Sequence, residues 1–373
     1  MHSEYVPIFQ EVCRIRKIAR YDIRRGGNMS NLSIKYRPTK FEDVVEQSLV
    51  VEMISNLCRD SQLDSRNFLL IGPAGTGKTT SARIMANVLN DYKGEPIELD
   101  AASHNGVDSV REIVQQARSY PVGTNYKVFI LDEVHSFSNQ AWQVLLKTLE
   151  EGPARSVFVL CTTNPEKIPA TILSRVQTFQ LSKISLAGIT NRLIHVLECE
   201  KSEGRDISYE PEAISYIAKL ANGGMRDALT LLDKALSYTN NITSQSLVTS
   251  LGLPKYDDYF SLLSAYAKKD NTAIVTIIHD IYNSGVNFVR WFEGFHGFVI
   301  NIVKYIFMQN IECTMIPTYY LDKVSKYGPA HSAVCLKLAN KLLKLNSDLK
   351  NTQYLQEIAI TYLCSTLKKG DVR

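Results

Sequence analysis

Eight consecutive residues have the types and the spacing that bind phosphate groups. They match the pattern G-x-x-x-x-G-K-[ST] and are Gly72, Pro73, Ala74, Gly75, Thr76, Gly77, Lys78 and Thr79. Glycines let successive backbone N–H groups turn toward phosphate oxygens, and the following helix adds its positive end. In such a loop Lys78 reaches the β- and γ-phosphates, while the Thr79 hydroxyl ligates Mg²⁺. The segment predicts a site for ATP and Mg²⁺, with Thr80 beside it.

A second group of candidate residues follows the apolar run 128–131. Asp132 ends this run and can hold the Mg²⁺, and the adjacent Glu133 can orient and deprotonate a water molecule. The alternative is an aspartate that caps a helix. We favour the catalytic interpretation because the pair follows the phosphate-binding loop by one further strand and helix.

The spacing of apolar runs predicts the elements that position these residues. Five short runs are separated by stretches of helical periodicity, which is typical of a parallel five-stranded sheet with helices on both faces. The runs are 68–71, 96–99, 128–131, 157–160 and 176–181. A helix is expected over Thr80–Leu89. After Lys183 no strand is expected, and helices are predicted at 186–203, 210–221 and 225–239 and repeatedly through 256–368.

Composition excludes several classes of protein. Apolar residues make up 45% of the 373 residues and charged residues 21%, which excludes a disordered or fibrous chain. The longest apolar run, Phe298–Met308, contains Asn301 and Lys304 and falls short of the ~20 residues that cross a bilayer. No membrane partner is therefore expected, and Phe298–Met308 is predicted to be a core helix.

The net charge of +4 is concentrated in the first 35 residues of the chain. Residues 1–35 hold seven of the 42 basic and three of the 38 acidic groups, which leaves 35 of each in residues 36–373. Residues 1–28 resemble a transit peptide in their basic, amphipathic pattern, but they hold one serine and three acids. We favour a mobile extension ahead of a natural start at Met29.

The seven cysteines are scattered and include no C-x-x-C pair. This distribution favours reduced thiols, a cytoplasmic location and small core residues.

Several further motifs occur in a fixed order along the chain. They are Tyr36-Arg-Pro, the phosphate-binding loop, Glu98-Leu-Asp-Ala-Ala-Ser103, Asp132-Glu-Val-His135, Leu145-Leu-Lys-Thr-Leu-Glu-Glu151 and Ile172-Leu-Ser-Arg175. Together they resemble the gamma/tau subunits of bacterial DNA polymerase III, the AAA+ ATPases of the sliding-clamp loader. The resemblance implies a basic extension over 1–32, an AAA+ nucleotide-binding domain over 33–182, a three-helix lid over 183–245 and an all-α collar over 246–373. It also implies a pentameric ring with other clamp-loader subunits, which acts with a sliding clamp and primer–template DNA.

The resemblance assigns roles that spacing alone does not. Arg175 would be the finger that reaches the ATP of a neighbouring subunit. Thr163 would be the first sensor of the γ-phosphate, and Arg226 the second sensor, contributed by the lid. Without the family, Arg175 and Arg226 would be interpreted as partners in surface ion pairs.

The adenine pocket is also assigned by resemblance. Val44 and Val45 would line it, with Arg37 nearby.

The sequence departs from the family pattern in several respects. The four-cysteine zinc module that usually follows the phosphate-loop helix is missing, so no zinc is predicted. Val176 replaces a cysteine after Arg175, and Glu46-Gln47 replaces Gly-Gln, which removes no catalytic group. The chain is expected to be the short form, without the long tail of tau.

The resemblance also implies DNA contacts from the stretch 103–111, because the corresponding stretch of clamp loaders faces the inner surface of the subunit spiral. Ser103, Asn105, Arg111 and Arg118 could meet phosphates through side chains and free N–H groups. The alternative is a solvated helix face.

The leading hypothesis is an ATPase motor subunit that opens a sliding clamp and places it on primed DNA during replication. One rival is another AAA+ replication ATPase, such as a helicase loader or a branch-migration motor. The second is a stator subunit that holds the ring without hydrolysing ATP.

Overall fold

The computed structural model describes residues 31–59, 67–152, 155–253 and 255–364. The chain divides into two compact units, residues 1–37 and residues 38–373. In the first unit, helix α1 (Leu32–Lys35) begins after Asn31, whose side chain accepts a hydrogen bond from the Ser33 backbone N–H at 3.0 Å. The extension expected over residues 1–28 lies outside the described residues.

The second unit contains the predicted parallel sheet. Its five strands lie in the order β2-β3-β4-β1-β5, and every neighbouring pair is parallel. The strands are β1 (Asn67–Ile71), β2 (Ile97–Asp100), β3 (Lys127–Asp132), β4 (Ser156–Thr162) and β5 (Gln177–Gln180). Each predicted run became a strand, with bounds that differ by one or two residues. The sheet prediction is confirmed.

Helices cover both faces of this sheet, as predicted, because successive strand residues point to opposite faces. Phe68 and Leu70 of β1 belong to one hydrophobic cluster, which includes residues of helices α2 and α3. Leu69 belongs to the opposite cluster, with residues of α4 and α5. The helices are α2 (Ser48–Arg59), α3 (Lys78–Leu89), α4 (Val107–Ala117), α5 (Asn139–Glu151) and α6 (Ala170–Leu173).

A small helical region follows the sheet. Its helices are α7 (Leu186–Ser202), α8 (Pro211–Leu220), α9 (Met225–Tyr238) and α10 (Ser244–Leu251). Helix α10 crosses the predicted boundary between lid and collar and packs against α8 and α9. The domain boundaries themselves stay predictions.

The expectation that no strand follows Lys183 is wrong. Strands β6 (Ser208–Tyr209) and β7 (Asn241–Ile242) form a short parallel ladder. Two residues are too few for an alternating pattern to appear in a sequence. The pairing is also non-local, since it joins the loops on either side of α8 and α9.

The C-terminal region is helical, as predicted. Its helices are α11 (Tyr256–Lys268), α12 (Asn271–Asn283), α13 (Phe288–Met308), α14 (Leu321–Val324), α15 (Ser332–Leu349) and α16 (Leu355–Leu363). The predicted core helix Phe298–Met308 forms the second half of α13, whose aromatic face packs in the centre of this region. Short 3₁₀ turns lie at Phe41–Asp43, Val134–Ser136, Pro165–Lys167, Ile311–Cys313, Thr318–Tyr320 and Pro329–His331.

Two sequence expectations concern the chain as a whole. Among the described residues, no helix has the length and the apolar character needed to cross a membrane. The six described cysteines are free thiols, but they are not all core residues. Cys161 and Cys335 are buried, whereas Cys313 is exposed and the other three are half-buried. The core interpretation is therefore confirmed for two of them.

Candidate active site

The phosphate-binding loop joins β1 to α3 at the carboxyl edge of the sheet. Gly77, immediately before α3, has a φ of +104°, a conformation that favours glycine. A Cβ atom added at Gly77 would meet no atom within 4 Å, so open space lies beside the loop. The buried Lys78 amine donates hydrogen bonds to the carbonyl oxygens of Gly72 and Pro73, both at 2.9 Å. A buried ammonium that is bonded to neutral carbonyl groups attracts an anion more strongly than an ammonium in water does. The loop therefore fits a phosphate group.

The two predicted Mg²⁺ ligands are in contact. The Thr79 hydroxyl donates to Asp132 Oδ2 at 2.6 Å, and Asp132 Oδ1 accepts the Glu133 backbone N–H at 3.0 Å. A hydroxyl and a carboxylate are the hard oxygen ligands that Mg²⁺ prefers, and phosphate oxygens and water complete its shell. The pair therefore fits the ion. Within the described residues, no cluster of three or more His, Cys, Asp or Glu side chains could hold a metal ion by itself.

The backbone turns away from the direction of strand β3 at Glu133. Its φ of +47° and ψ of +42° lie in the left-handed region, which costs an ordinary residue about 1–3 kcal/mol. The side chain thereby reaches the end of the neighbouring strand β4. There Glu133 Oε2 accepts hydrogen bonds from the Thr163 hydroxyl at 3.0 Å and from the Thr163 backbone N–H at 3.3 Å. The candidate general base and the candidate first sensor are thus in direct contact.

His135 joins this group, although the sequence assigned it no role. Its Nδ1 lies 3.2 Å from Glu133 Oε2 and 3.1 Å from Thr162 Oγ1, and 15% of its side chain is exposed. The 3₁₀ turn Val134–Ser136 directs the imidazole back toward the end of β4. The D-E-x-H spacing was the available signal, but the contact depends on the left-handed backbone at Glu133.

Cys161 of β4 lies buried behind the loop. Burial, helped by the negative charge of Asp132, raises the pKa of its thiol well above the usual value. The thiol therefore stays neutral and acts as a packing residue.

The lid contacts the phosphate-binding loop directly. The Met225 backbone N–H donates to the Gly75 carbonyl at 2.9 Å. A Cβ atom at Gly75 would lie 3.0 Å from Gly224 Cα and 3.5 Å from the Arg226 backbone nitrogen. The predicted second sensor, Arg226, is exposed in the first turn of α9, next to this contact.

The residues predicted near the adenine base divide between the two units. Val44 and Val45 are half-buried, and Val44 packs against the cluster that includes α3. Arg37 belongs to the unit of residues 1–37, so its place beside the base stays a prediction.

The departure at Glu46-Gln47 links the sheet domain to the start of the lid. Both residues have left-handed φ values, +58° and +59°, and Glu46 stands where the family pattern has a glycine. The Glu46 carboxylate accepts hydrogen bonds from the Ser185 hydroxyl and from the Ser185 backbone N–H, the latter at 2.9 Å. The Gln47 amide pairs both ways with the Ser182 backbone, at 2.6 and 3.0 Å. These bonds hold the segment before α7 and offset the backbone strain.

Arg175 is not part of the cluster around the loop. Its guanidinium forms an ion pair with Glu150 at 2.6 Å and donates to the Thr171 carbonyl at 2.6 Å. The side chains of Arg175 and Glu150 are 35% and 44% exposed. The pair accords with the surface ion-pair alternative within one subunit, and the role in a neighbour's site stays a prediction.

The four residues predicted to meet DNA are all exposed. The Ser103 hydroxyl donates to Asp100 Oδ2 at 2.9 Å, and Arg111 forms an ion pair with Asp108 at 2.9 Å. The Asn105 carbonyl accepts the Ser138 N–H at 3.2 Å, and Arg118 ends helix α4. Their role in DNA binding stays a prediction.

A phosphate-binding loop at the edge of a five-stranded parallel sheet, with a helical lid resting on it, defines the AAA+ class of nucleotide-binding proteins. Two family models match the chain within this part. The model described as "DNA polymerase III, delta subunit" matches residues 95–185. The model described as "DNA polymerase III clamp loader subunit, ATPase lid domain" matches residues 188–241.

Curated relatives identify the family. The DNA polymerase III subunit gamma of Buchnera aphidicola subsp. Schizaphis graminum is 35% identical over 281 residues, which are 69% of this chain and 76% of that protein. The chain belongs to the gamma/tau family of DNA polymerase III clamp-loader subunits, which confirms the resemblance read from the motifs.

Other relatives are longer than this chain. The subunit tau of Bacillus subtilis is 40% identical over 228 residues, 56% of this chain and 39% of that protein. The subunit gamma/tau of Mycoplasma genitalium is 31% identical over 318 residues, 78% of this chain and 52% of that protein. The chain thus spans from about two-fifths to half of these two relatives.

Among solved structures, the RuvB Holliday junction branch migration motor of Thermotoga maritima overlaps with a TM-score of 0.48. The two sequences are 18% identical, and the overlap covers 62% of this chain and 78% of the RuvB chain.

The contact between loop and lid yields a stability prediction. Gly75→Ala and Gly123→Ala each place a side chain at nearly the same positive φ, +72° and +76°, at about 1–2 kcal/mol, and a Cβ atom at Gly123 would meet no atom within 4 Å. At Gly75 the added Cβ also presses on Gly224 Cα, which adds about 1–3 kcal/mol. Thermal unfolding without nucleotide should therefore show the larger loss for Gly75→Ala. An equal loss in the two variants would mean that the lid does not rest on the loop.

Proposed function

We propose that this chain is the ATP-hydrolysing motor subunit of a DNA sliding-clamp loader. The observation that carries the proposal is the convergence of Lys78, Thr79, Asp132, Glu133 and Thr163 at one edge of the sheet. These side chains supply a cation for phosphates, two oxygen ligands for Mg²⁺, a base and a hydroxyl donor. ATP hydrolysis requires this set of groups.

Each side chain has a distinct task in this proposal. Lys78 binds the β- and γ-phosphates, and Thr79 and Asp132 hold Mg²⁺. When bound, Mg²⁺ would neutralise the negative charge that develops on the phosphate oxygens. Glu133 orients the attacking water and accepts its proton, and Thr163 directs its hydroxyl to the terminal phosphate.

The lid couples nucleotide binding to the position of its helices. Arg226 extends from the first turn of α9, where Met225 already bonds to the loop. A cation at this point would contact phosphate oxygens and draw the lid toward the nucleotide. Val44 and Val45 line the adenine pocket in this proposal.

Arg175 acts in the site of a neighbouring subunit. Its pair with Glu150 is partly exposed, and exposed ion pairs contribute about 0–1 kcal/mol. The guanidinium can therefore exchange Glu150 for a phosphate oxygen at little cost. An arginine finger supplied in trans accelerates phosphoryl transfer by about 10³–10⁵-fold.

The proposed partners are the other clamp-loader subunits of a ring, a sliding clamp and primer–template DNA, in the cytoplasm. Residues 36–373 carry equal numbers of acidic and basic groups, so a general attraction to a polyanion does not hold the DNA. Oriented groups do so instead, namely Ser103, Asn105, Arg111 and Arg118. Such contacts position the backbone without reading sequence.

Two alternatives remain distinct from this proposal. The first is a stator subunit that holds the ring without hydrolysing ATP. The intact set of Lys78, Asp132 and Glu133 argues against it. A helicase loader or branch-migration motor would use the same chemistry, and the partner that stimulates hydrolysis separates it from a clamp loader.

Lys78→Ala and Glu133→Gln should fail at different steps. Lys78→Ala should lose nucleotide binding, so Mg²⁺-ATP should no longer raise its unfolding temperature; a ligand at 100 times its Kd stabilises by about 2.7 kcal/mol. Glu133→Gln should keep that shift but hydrolyse ATP about 10²–10⁴-fold more slowly, because the amide accepts no proton. Controls are the exposed Lys147→Ala and Glu212→Gln, which should behave as the unaltered chain. If Glu133→Gln hydrolysed ATP at the rate of the unaltered chain, Glu133 would not be the base and the proposed catalytic site would be wrong.

Arg175→Ala tests the finger. Assembled rings of this variant should bind nucleotide normally and hydrolyse it about 10³–10⁵-fold more slowly, as measured by single-turnover hydrolysis. Glu150→Gln breaks the same ion pair but keeps the arginine, so it should retain the rate. If Glu150→Gln were as slow as Arg175→Ala, the ion pair itself would be required and Arg175 would not be a finger.

A further inference from the structure

We propose that His135 is a positioning residue for ATP hydrolysis, which holds the Glu133 carboxylate at the end of strand β4 through a hydrogen bond from its Nδ1. The inference rests on the proposed function, since Glu133 must be the base for its position to matter. The contact joins Nδ1 to Oε2 over 3.2 Å.

The backbone of Glu133 is strained, and its carboxylate depends on hydrogen-bond donors to hold its position. Glu133 has a left-handed conformation, and a third of its side chain is exposed. Carboxylate rotation about the terminal torsion is soft, so the position of the oxygens depends on their hydrogen-bond donors. The donors at Oε2 are the two groups of Thr163 and, in the proposal, the ring of His135.

The support from Thr163 cannot last through the reaction. The Thr163 hydroxyl has one hydrogen, which it now donates to Glu133 Oε2 at 3.0 Å. As the sensor of the terminal phosphate, the same hydroxyl must donate that hydrogen to a phosphate oxygen. Glu133 then keeps the weaker backbone bond at 3.3 Å, so His135 becomes its main side-chain donor.

The surroundings of His135 suit this task. Its turn is anchored by Val134, which is fully buried in the hydrophobic cluster under β3 and β4. The ring also lies 3.1 Å from Oγ1 of the buried Thr162, which accepts the Asn164 N–H at 3.1 Å. An ionised carboxylate only accepts hydrogen bonds, so Nδ1 must carry the hydrogen for the contact with Glu133 to be attractive. Val134 thus holds the turn, and the single Nδ1 hydrogen, which Glu133 Oε2 and Thr162 Oγ1 share, goes mainly to the carboxylate because a charged acceptor forms the stronger hydrogen bond.

His135→Ala should lower kcat while leaving nucleotide binding intact. A displaced base of this kind lowers kcat by about 10–100-fold, and KM for ATP and the Mg²⁺-ATP-induced rise in unfolding temperature should be unchanged. His135→Asn carries an amide nitrogen near the position of Nδ1 and should restore most of the rate. The matched control is His279→Ala, an exposed histidine of helix α12 that bonds to Asn283. It should leave the rate unchanged.

A double variant separates positioning from a structural role. If His135 acts through Glu133, adding His135→Ala to Glu133→Gln should slow hydrolysis no further, because the effects of residues that act as a unit are not additive. A further loss in the double variant would overturn the proposal. So would a wild-type kcat in His135→Ala, or a failure of His135→Asn to exceed His135→Ala although both fold.

These outcomes are distinct from failure of the proposed function. If Glu133→Gln hydrolysed ATP at the wild-type rate, the catalytic role of Glu133 would fall, and the inference with it. If Glu133→Gln were slow and His135→Ala were not, the inference alone would be wrong.

Discussion

Parallel strands carry their carboxyl ends to one edge of a sheet, and the groups that surround the phosphate-binding loop are attached to that edge. Ile71 at the end of β1 pairs with Thr162 at the end of β4, and the Gly72 N–H extends the ladder to the Thr162 carbonyl at 3.2 Å. The hydrogen bond between Thr79 and Asp132 then ties the first turn of α3 to the end of β3. A slip of one residue in this register would turn the side chains to the opposite face and separate the pair. The chemistry proposed for the site therefore depends on the register of the central strands.

The parts of the site that were predictable from the sequence are local. The loop, the strand before it and the helix after it follow from glycine spacing and apolar periodicity, and the structure has them within two residues. Asp132 could be placed because a buried run ends there. These features need no knowledge of distant contacts.

The parts that could not be predicted depend on contacts between distant segments or on unusual backbone angles. The approach of His135 to Glu133 follows from a left-handed φ at Glu133, which no residue type in the run announces. The bond from Met225 to Gly75 joins positions 150 residues apart. The short ladder between β6 and β7 was missed because its two-residue strands show no pattern. Arg175 was assigned by family alone, and within one subunit it pairs with Glu150.

Among the described residues, two sets of hydrogen bonds connect the sheet domain with the lid and with the segment that leads into it. One links Gly75 of the loop to α9, and the other links Glu46 and Gln47 to the segment before α7. In the second set, Glu46 takes a left-handed conformation at a position where the family pattern has a glycine, and it bonds to Ser185. The Glu46 carboxylate thus makes a hydrogen-bonded contact to the segment before α7 that a glycine at this position could not make.

The steady-state rate of ATP hydrolysis tests the proposed clamp-loader function most directly. The chain is assembled for this with clamp-loader subunits from the same organism. The rate is measured alone, with sliding clamp and primed DNA, and with a replicative helicase or a branched DNA junction. We predict that clamp and primed DNA together raise the rate, that helicase and junction do not, and that assemblies of Glu133→Gln show no stimulation. Stimulation by the helicase or the junction, with none by the clamp, would contradict the proposed function.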